Sequence, residues 1–308
     1  GYAWGIDAAD VNKDGFVDIV SGSFGNSVAI AFGNGTGVFP TSVVIASGGF
    51  APLGVAVSDL NHDGNPDIIA ANRDSSSVTV ILGNGNGTFQ PIQTFSLSSS
   101  GISHSAVLSD FDQDGNLDVA VALWGYGVTL LHGNGAGQFV NWGSVPLTNY
   151  SFDLTAGDLN RDAIPDLAVS GNSGVHAVLI GNGNGTFAAP VYYATASGTF
   201  LSSLRMADFN RDGALDIVVA NGNATVDIFP GRGDGTLGSS FRFGPLPGAQ
   251  EFDATSVGDF DGDDSPDVAV STTNAGVSVL RSRDFAVGAM PTTLISPPPN
   301  RYPFELEY

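Results

Sequence analysis

An aspartate-rich nonapeptide constrains this chain more than any other feature, because it returns six times. DVNKDGFVD at residues 10–18 recurs as DLNHDGNPD (59–67), DFDQDGNLD (110–118), DLNRDAIPD (158–166), DFNRDGALD (208–216) and DFDGDDSPD (259–267). Successive copies begin 49, 51, 48, 50 and 51 residues apart. So regular a period marks an array of equal supersecondary units, each too small to bury its own apolar surface, so neighbours must pack together.

Every unit reads alike. In the second copy one run enters the acidic loop (GVAVSD), one leaves it (PDIIAAN), a third follows (SVTVILGNG) and a fourth closes the unit (QPIQTFSL). The runs are short, bounded by Gly, Asn and Ser, and lack a helical period, which predicts four antiparallel strands of about 4 to 7 residues. The third and fourth runs are joined by GNGTGVF (33–39), GNGNGTF (83–89), GNGAGQF (133–139), GNGNGTF (181–187) and GRGDGTL (231–237). Glycine there supplies the positive φ of tight hairpin turns. A dinucleotide reading of these glycines fails, since no helix follows them. The sixth copy has RSRDF (281–285) instead, as terminal repeats often depart from their array.

Four-stranded sheets of this size stack radially, which predicts an all-β fold: a β-propeller of four-stranded antiparallel blades, six in number. The blades start near residues 1, 51, 102, 150, 200 and 251 and make one domain over 1–296, with PTTLIS (291–296) as the last strand. Residues 297–308 read as a Pro-rich tail, or as a latch in which Phe304, Leu306 and Tyr308 alternate like a strand.

The chain has 308 residues, 31 acidic against 10 basic, and a pI near 4.1, so it should repel nucleic acid and anionic membranes. No cysteine is present, which excludes disulfides, thiolate metal sites and a cysteine nucleophile. No apolar run approaches the ~18 residues of a membrane-spanning helix, so a soluble chain without membrane insertion is expected. Glycine, at 42 residues, is about twice as frequent as the usual ~7%, in keeping with many tight turns.

Twenty of the 31 acidic residues stand at positions 1, 3, 5 and 9 of the nonapeptides. Two carboxylates about 4 Å apart repel by ~4 kcal/mol at an effective dielectric near 20, so three in one tight loop cost on the order of 10 kcal/mol without a cation. Hard side-chain oxygens at these positions, with a backbone carbonyl at position 7, suit Ca2+, about one per repeat and up to six in all. The ligand set is Asp10, Asn12, Asp14, Phe16 and Asp18 in the first copy, and Asp59, Asn61, Asp63, Asn65 and Asp67 in the second. It continues as Asp110, Asp112, Asp114, Asn116 and Asp118, then Asp158, Asn160, Asp162, Ile164 and Asp166. Asp208, Asn210, Asp212, Ala214 and Asp216 follow, and then Asp259, Asp261, Asp263, Ser265 and Asp267. Glycine at position 6 permits the sharp turn in four copies, whereas Ala163 and Asp264 replace it in the fourth and sixth. An EF-hand is excluded, because position 12 carries Ser21, Ala70, Val121, Val169, Val219 or Val270 in place of Glu.

The pattern D-x-[DN]-x-D-G-x-x-D between hydrophobic strands, at a period of about 50 residues over 1–296, resembles the FG-GAP/VCBS repeat family, which includes the propellers of integrin α-subunits. The resemblance implies calcium at the positions named above. The Phe-Gly dipeptide survives at Phe32-Gly33, and the GAP segment is replaced by runs such as AAN (70–72). Integrin-like propellers have seven blades, which makes seven the alternative to six. The chain looks most like the secreted bacterial branch, which holds adhesion modules, lectin-like proteins and polysaccharide lyases.

A ligand is expected on the face opposite the acidic loops, where the second-to-third strand connections vary. Trp124 and Tyr126 flank Gly125 there, and Arg73, Asp74 and His104 add polar groups. Aromatic faces with hydrogen-bonding neighbours suit carbohydrate. The expected function is a calcium-stabilised recognition module for a carbohydrate or an extracellular protein ligand. The alternatives are a polysaccharide lyase or other glycan-active enzyme, and a structural spacer of a larger surface protein. Among four histidines only His104 lies near that face, and no paired-carboxylate site stands apart from the acidic loops, so no catalytic residue is assigned. Calcium reaches millimolar levels outside cells and in the periplasm, which places the chain at the cell surface or beyond.

Overall fold

The computed structural model describes residues 3–23, 25–98, 101–148, 151–172, 174–195, 201–245, 252–272, 276–282 and 293–295. The tail at 297–308 and most of RSRDF lie outside the described residues. The described residues form 24 β-strands in six four-stranded sheets, each a meander in chain order. The first sheet holds β1 (Ala3–Ala9), β2 (Asp18–Ser23), β3 (Ser27–Phe32) and β4 (Thr41–Ala46). The second holds β5 (Pro52–Ser58), β6 (Asp67–Asn72), β7 (Ser77–Ile81) and β8 (Gln93–Ser96). The third holds β9 (Ile102–Ser109), β10 (Asp118–Trp124), β11 (Gly127–Gly133) and β12 (Phe139–Val145). The fourth holds β13 (Ser151–Gly157), β14 (Asp166–Gly171), β15 (Val175–Leu179) and β16 (Val191–Ala194). The fifth holds β17 (Leu201–Ala207), β18 (Asp216–Asn221), β19 (Thr225–Phe229) and β20 (Phe241–Phe243). The sixth holds β21 (Phe252–Gly258), β22 (Asp267–Thr272), β23 (Gly276–Leu280) and β24 (Thr293–Ile295). This is an all-β propeller of six blades, so the six-blade expectation holds and the seven-blade alternative does not. The strands depart from the expected lengths at β9, with 8 residues, and at β20 and β24, with 3 each.

Contacts gather the chain into two compact units, residues 1–156 with 181–190, and 157–180 with 191–308. Within the first unit, β6 is buried on both faces. Ile68 and Ala70 of β6 pack on Val20, Val28 and Ile30 of the first blade. Their neighbours Ile69 and Ala71 pack on Val119, Val121 and Leu123 of the third. Alternate residues of a strand point to opposite faces, so one strand serves two cores. Within the second unit β18 repeats the arrangement, with Ile217 and Val219 against Ala168 and Val178, and Val218 and Ala220 against Val268 and Val270. Burial of each such side chain stabilises by about 1.5–3 kcal/mol, which explains why the runs leaving the acidic loops are continuously apolar.

First strands of adjacent blades come close enough to require glycine. A Cβ on Gly5 would stand 1.9 Å from the carbonyl oxygen of Leu53. Side chains stitch the same junctions: Val57 N–H donates to Asp7 Oδ2 at 2.7 Å, and Ser105 Oγ donates to Asp153 Oδ1 at 2.7 Å. In the second unit the Ser203 and Thr255 hydroxyls lie 2.9 Å apart.

His176 lies within the second unit, fully buried on β15. Its ring stacks on Tyr193 at 5.6 Å and meets the edge of Phe229 at 4.5 Å. Neither ring nitrogen has a hydrogen-bond partner among the described residues. Burial drives its pKa down from 6.5 to about 3, so the folded chain holds it neutral while the unfolded chain protonates below 6.5. Its contribution is therefore complete above pH 6.5 and is lost as pH falls toward 3, by up to about 1.4 kcal/mol per pH unit. In a series of thermal melts from pH 7 down to 4, H176F should lose less stability than the wild type; parallel declines would show that His176 is not responsible.

Candidate metal centre and ligand face

Each acidic loop is shaped by its own side chains. In the first copy Asp10 accepts the N–H of Asp14 at 3.1 Å on one oxygen and that of Gly15 at 2.8 Å on the other. Asn12 Oδ1 accepts Asp14 N–H at 2.9 Å, and Asp14 Oδ1 accepts Phe16 N–H at 2.9 Å. The bond from position 6 to position 1 recurs in every copy, at 2.8 Å for Asp59, 2.9 Å for Asp110, 2.8 Å for Asp158, 2.8 Å for Asp208 and 2.9 Å for Asp259. Position 6 is left-handed throughout. Ala163 and Asp264 adopt φ of 64° and 62° there without being glycine, so the fourth and sixth loops keep the common shape at a cost of about 1–2 kcal/mol each.

Position 9 does something the spacing did not reveal. Asp18 is fully buried and accepts two backbone N–H groups, from Val11 at 2.9 Å and from Gly33 at 2.8 Å. The first donor opens the acidic loop and the second opens the glycine turn, so one carboxylate fastens both to the start of the second strand. Asp67 repeats it with Leu60 and Gly83, Asp118 with Phe111 and Gly133, Asp216 with Phe209 and Gly231, and Asp267 with Phe260 and Ser282. In the first, second, third and fifth blades the acidic loop and the glycine turn therefore share one end. Burial pushes the carboxyls of Asp67 and Asp216 up to about 6, against the downward pull of both N–H donors and with neighbouring carboxylates adding to the rise. Burial likewise raises Asp18 and Asp118.

The remaining loop oxygens converge. Asp110, Asp112 and Asp114 each offer an oxygen within 4.8 Å of the others, as do Asp259, Asp261 and Asp263. An ionised carboxylate oxygen that accepts one N–H retains a further lone pair, and the donors at positions 1, 3, 5 and 9 are all oxygens, so the loops fit a hard divalent cation. Side chains at position 4 reach the following loop. Arg161 donates to the carbonyls of Gly213 and Asp212 at 3.1 Å each, and Arg211 to that of Asp263 at 2.8 Å.

At the other end of the third blade, the five expected ligand residues gather around segment 101–104. Tyr126, 48% exposed, lies over Gly101, whose added Cβ would meet its ring at 2.9 Å. The Arg73 carbonyl accepts Ser103 N–H at 3.2 Å, and the Arg73 guanidinium pairs with Asp74 at 3.1 Å. Trp124 is half-buried, 5.7 Å from both His104 and Phe152, while His104 stacks on Phe152 at 4.3 Å. The pairing of β9 with β10 skips His104, with Ser103 opposite Leu123 and Ser105 opposite Ala122, so the histidine occupies a β-bulge that re-aims its ring. Burial lowers its pKa to about 4, the Arg73 charge adds to the fall, and Asp74 and Asp153 oppose it. Of the other aromatics near the blade junctions, Phe50 is 62% exposed, and Tyr150 and Phe200 lie outside the described residues.

The double-acceptor role of position 9 is testable without metal. Asp67→Asn should cost about 2–3 kcal/mol in urea unfolding with excess chelator, because an amide group then faces the N–H of Leu60 or Gly83. A loss below about 0.5 kcal/mol would mean that these bonds do not hold the loop.

Comparison with known proteins agrees with this architecture. The FG-GAP-like repeat pattern matches residues 10–70, 59–121, 110–169, 158–219 and 208–270. No curated protein matches the chain. Among solved structures, BBS1N in complex with ARL6DN, soaked with lead, is similar at a TM-score of 0.64 and 15% identity, over 91% of this chain and 79% of that one. An Agrocybe aegerita lectin, described for specific recognition of non-reducing terminal N-acetylglucosamine, is similar at 0.61 and 22% identity, over 90% of this chain and 80% of that one. Identities this low speak to fold alone. The family rests on the repeats themselves, whose matches run from residue 10 to residue 270: the chain belongs to the FG-GAP-like repeat family.

Proposed function

We propose that this chain is a calcium-stabilised extracellular recognition module that binds carbohydrate beside segment 101–104. The observation that carries the reading is the convergence of Tyr126, Trp124, His104, Arg73 and Asp74 on that segment. A pyranose offers an apolar face to an aromatic ring and hydroxyls to a guanidinium and a carboxylate, and the exposed Tyr126 and the Arg73–Asp74 pair supply both. The fold is also that of a lectin with N-acetylglucosamine specificity. Trp124 packs 5.7 Å from both His104 and Phe152. An extracellular protein is the second reading, favoured by the similarity to BBS1N in its complex with ARL6DN.

Calcium in the acidic loops would neutralise the carboxylates that the turns force together. At free calcium tenfold above the dissociation constant, each site stabilises by about 1.4 kcal/mol. Melting temperature should therefore fall clearly when chelator replaces millimolar calcium, and coincident melting curves would overturn the metal reading.

For the ligand, a glycan array should show binding by the wild type that Y126A together with R73A weakens at least tenfold. Retention of full binding by that double variant would remove the site, and binding only to a protein ligand would favour the second reading. Growth of double-bond absorbance with uronic-acid polysaccharides would instead point to lyase chemistry.

A further inference from the structure

The six repeats differ at one pair of positions in a way that their average hides. Position 3 is Asn in the first, second, fourth and fifth copies (Asn12, Asn61, Asn160, Asn210) and Asp in the third and sixth (Asp112, Asp261). The residue before the turn N–H that bonds to position 9 changes with it. Copies with Asn carry Phe32, Leu82, Ile180 or Pro230 there, whereas the two copies with Asp carry His132 and Arg281. Both nitrogen side chains lie against the added carboxylate: His132 Nδ1 is 3.5 Å from Asp112 Oδ2, and Arg281 Nε is 3.6 Å from Asp261 Oδ2. In the sixth copy the partner is a guanidinium, which has no lone pair to give a metal. In the third it is an imidazole, which does.

We propose that the third repeat holds a mixed nitrogen and oxygen site for a borderline divalent metal of the zinc class, formed by Asp112, Asp118 and His132. One atom from each lies within 4.8 Å of the others. His132 Nδ1 is 3.1 Å from Asp118 Oδ1 and 3.5 Å from Asp112 Oδ2. Ligands bound to tetrahedral zinc at 2.0–2.1 Å stand about 3.3 Å apart, so these separations already match edges of its coordination shell.

The carboxylate is positioned for it. Gly133 N–H occupies one lone pair of Asp118 Oδ1 at 2.9 Å, and His132 Nδ1 faces the same oxygen. A neutral imidazole whose Nδ1 lone pair meets a carboxylate must have a cation between them, or else carry its proton there as an ordinary hydrogen bond. The surroundings hold the ring in place: His132 stands one residue before the end of β11, and Trp142 lies against it at 4.8 Å. Trp142 in turn covers Gly185, whose added Cβ would fall 2.0 Å from the indole. With two carboxylates and one imidazole, a fourth position remains for water or for an oxygen of a ligand. This inference is independent of the glycan reading and replaces the calcium reading in the third loop alone, since Asp112 and Asp118 then serve the borderline metal with His132, a donor set that the other copies lack.

The test is titration of the full chain with zinc chloride in millimolar calcium, followed by calorimetry, with cobalt as a spectroscopic substitute. The wild type should bind one zinc per chain, and cobalt should develop the intense visible bands of tetrahedral coordination. H132L installs the residue type that the second copy carries at Leu82, and D112N restores the side chain found in four other copies. Each should weaken zinc binding at least tenfold and abolish the cobalt bands, while R281L leaves both unchanged. Should H132L prove unfolded in a chelator melt, D112N carries the comparison alone. Absence of zinc binding to the wild type, or equal affinity in wild type and D112N, would reduce the contact to a hydrogen bond and overturn the proposal.

Discussion

The buried aspartate at the start of each second strand is the interaction on which the rest of the molecule depends. Its carboxylate takes the N–H that opens the acidic loop and the N–H that opens the glycine turn, as Asp18 does with Val11 and Gly33. An isolated buried carboxylate is costly, and these two donors are what make it tolerable. Because both donors belong to connections that would otherwise be free, the same carboxylate also fixes the shape of the acidic loop. Loop shape, turn position and strand start are thereby set together in copy after copy.

From that anchor β6 and β18 each serve two cores with alternate side chains. Ile68 and Ile69 are consecutive in the chain and belong to different clusters. A strand buried on both faces leaves its ends as the accessible parts, since a polar side chain along its middle needs a buried partner. Variation is therefore confined to the ends of the blades. One end is fixed by the acidic loops. At the other, a bulge in β9 aims His104 at Trp124 and Phe152, and neighbouring connections bring Arg73 and Tyr126 beside it.

The acidic loops were legible in the sequence because their geometry is local: all of positions 1 to 9 lie within one turn of chain, and spacing alone dictates which oxygens converge. The same reasoning marked the fourth and sixth loops as irregular for want of glycine, yet Ala163 and Asp264 take up the left-handed conformation regardless. The bonds from positions 5 and 6 to Asp158 and Asp259 supply the compensation. The reading of Trp124 and Tyr126 as one displayed pair was only half visible. Alternation and loop position place both at the end away from the acidic loops, but depth depends on Phe152, which comes from a different blade.

By itself, then, the sequence determined the repeat number, the meander of each blade and the oxygen-rich loops, because each follows from contacts between residues fewer than about ten apart or from a period that needs no coordinates. Only the tertiary structure decided that position 9 is a double acceptor spanning 15 residues from Asp18 to Gly33. It also decided that His132 turns toward Asp112 and that His104 meets aromatic rings from its own second strand and the next blade. Those relations join groups brought together by hairpin register and blade stacking, and register is set by the burial of whole faces, which no short stretch of residues contains.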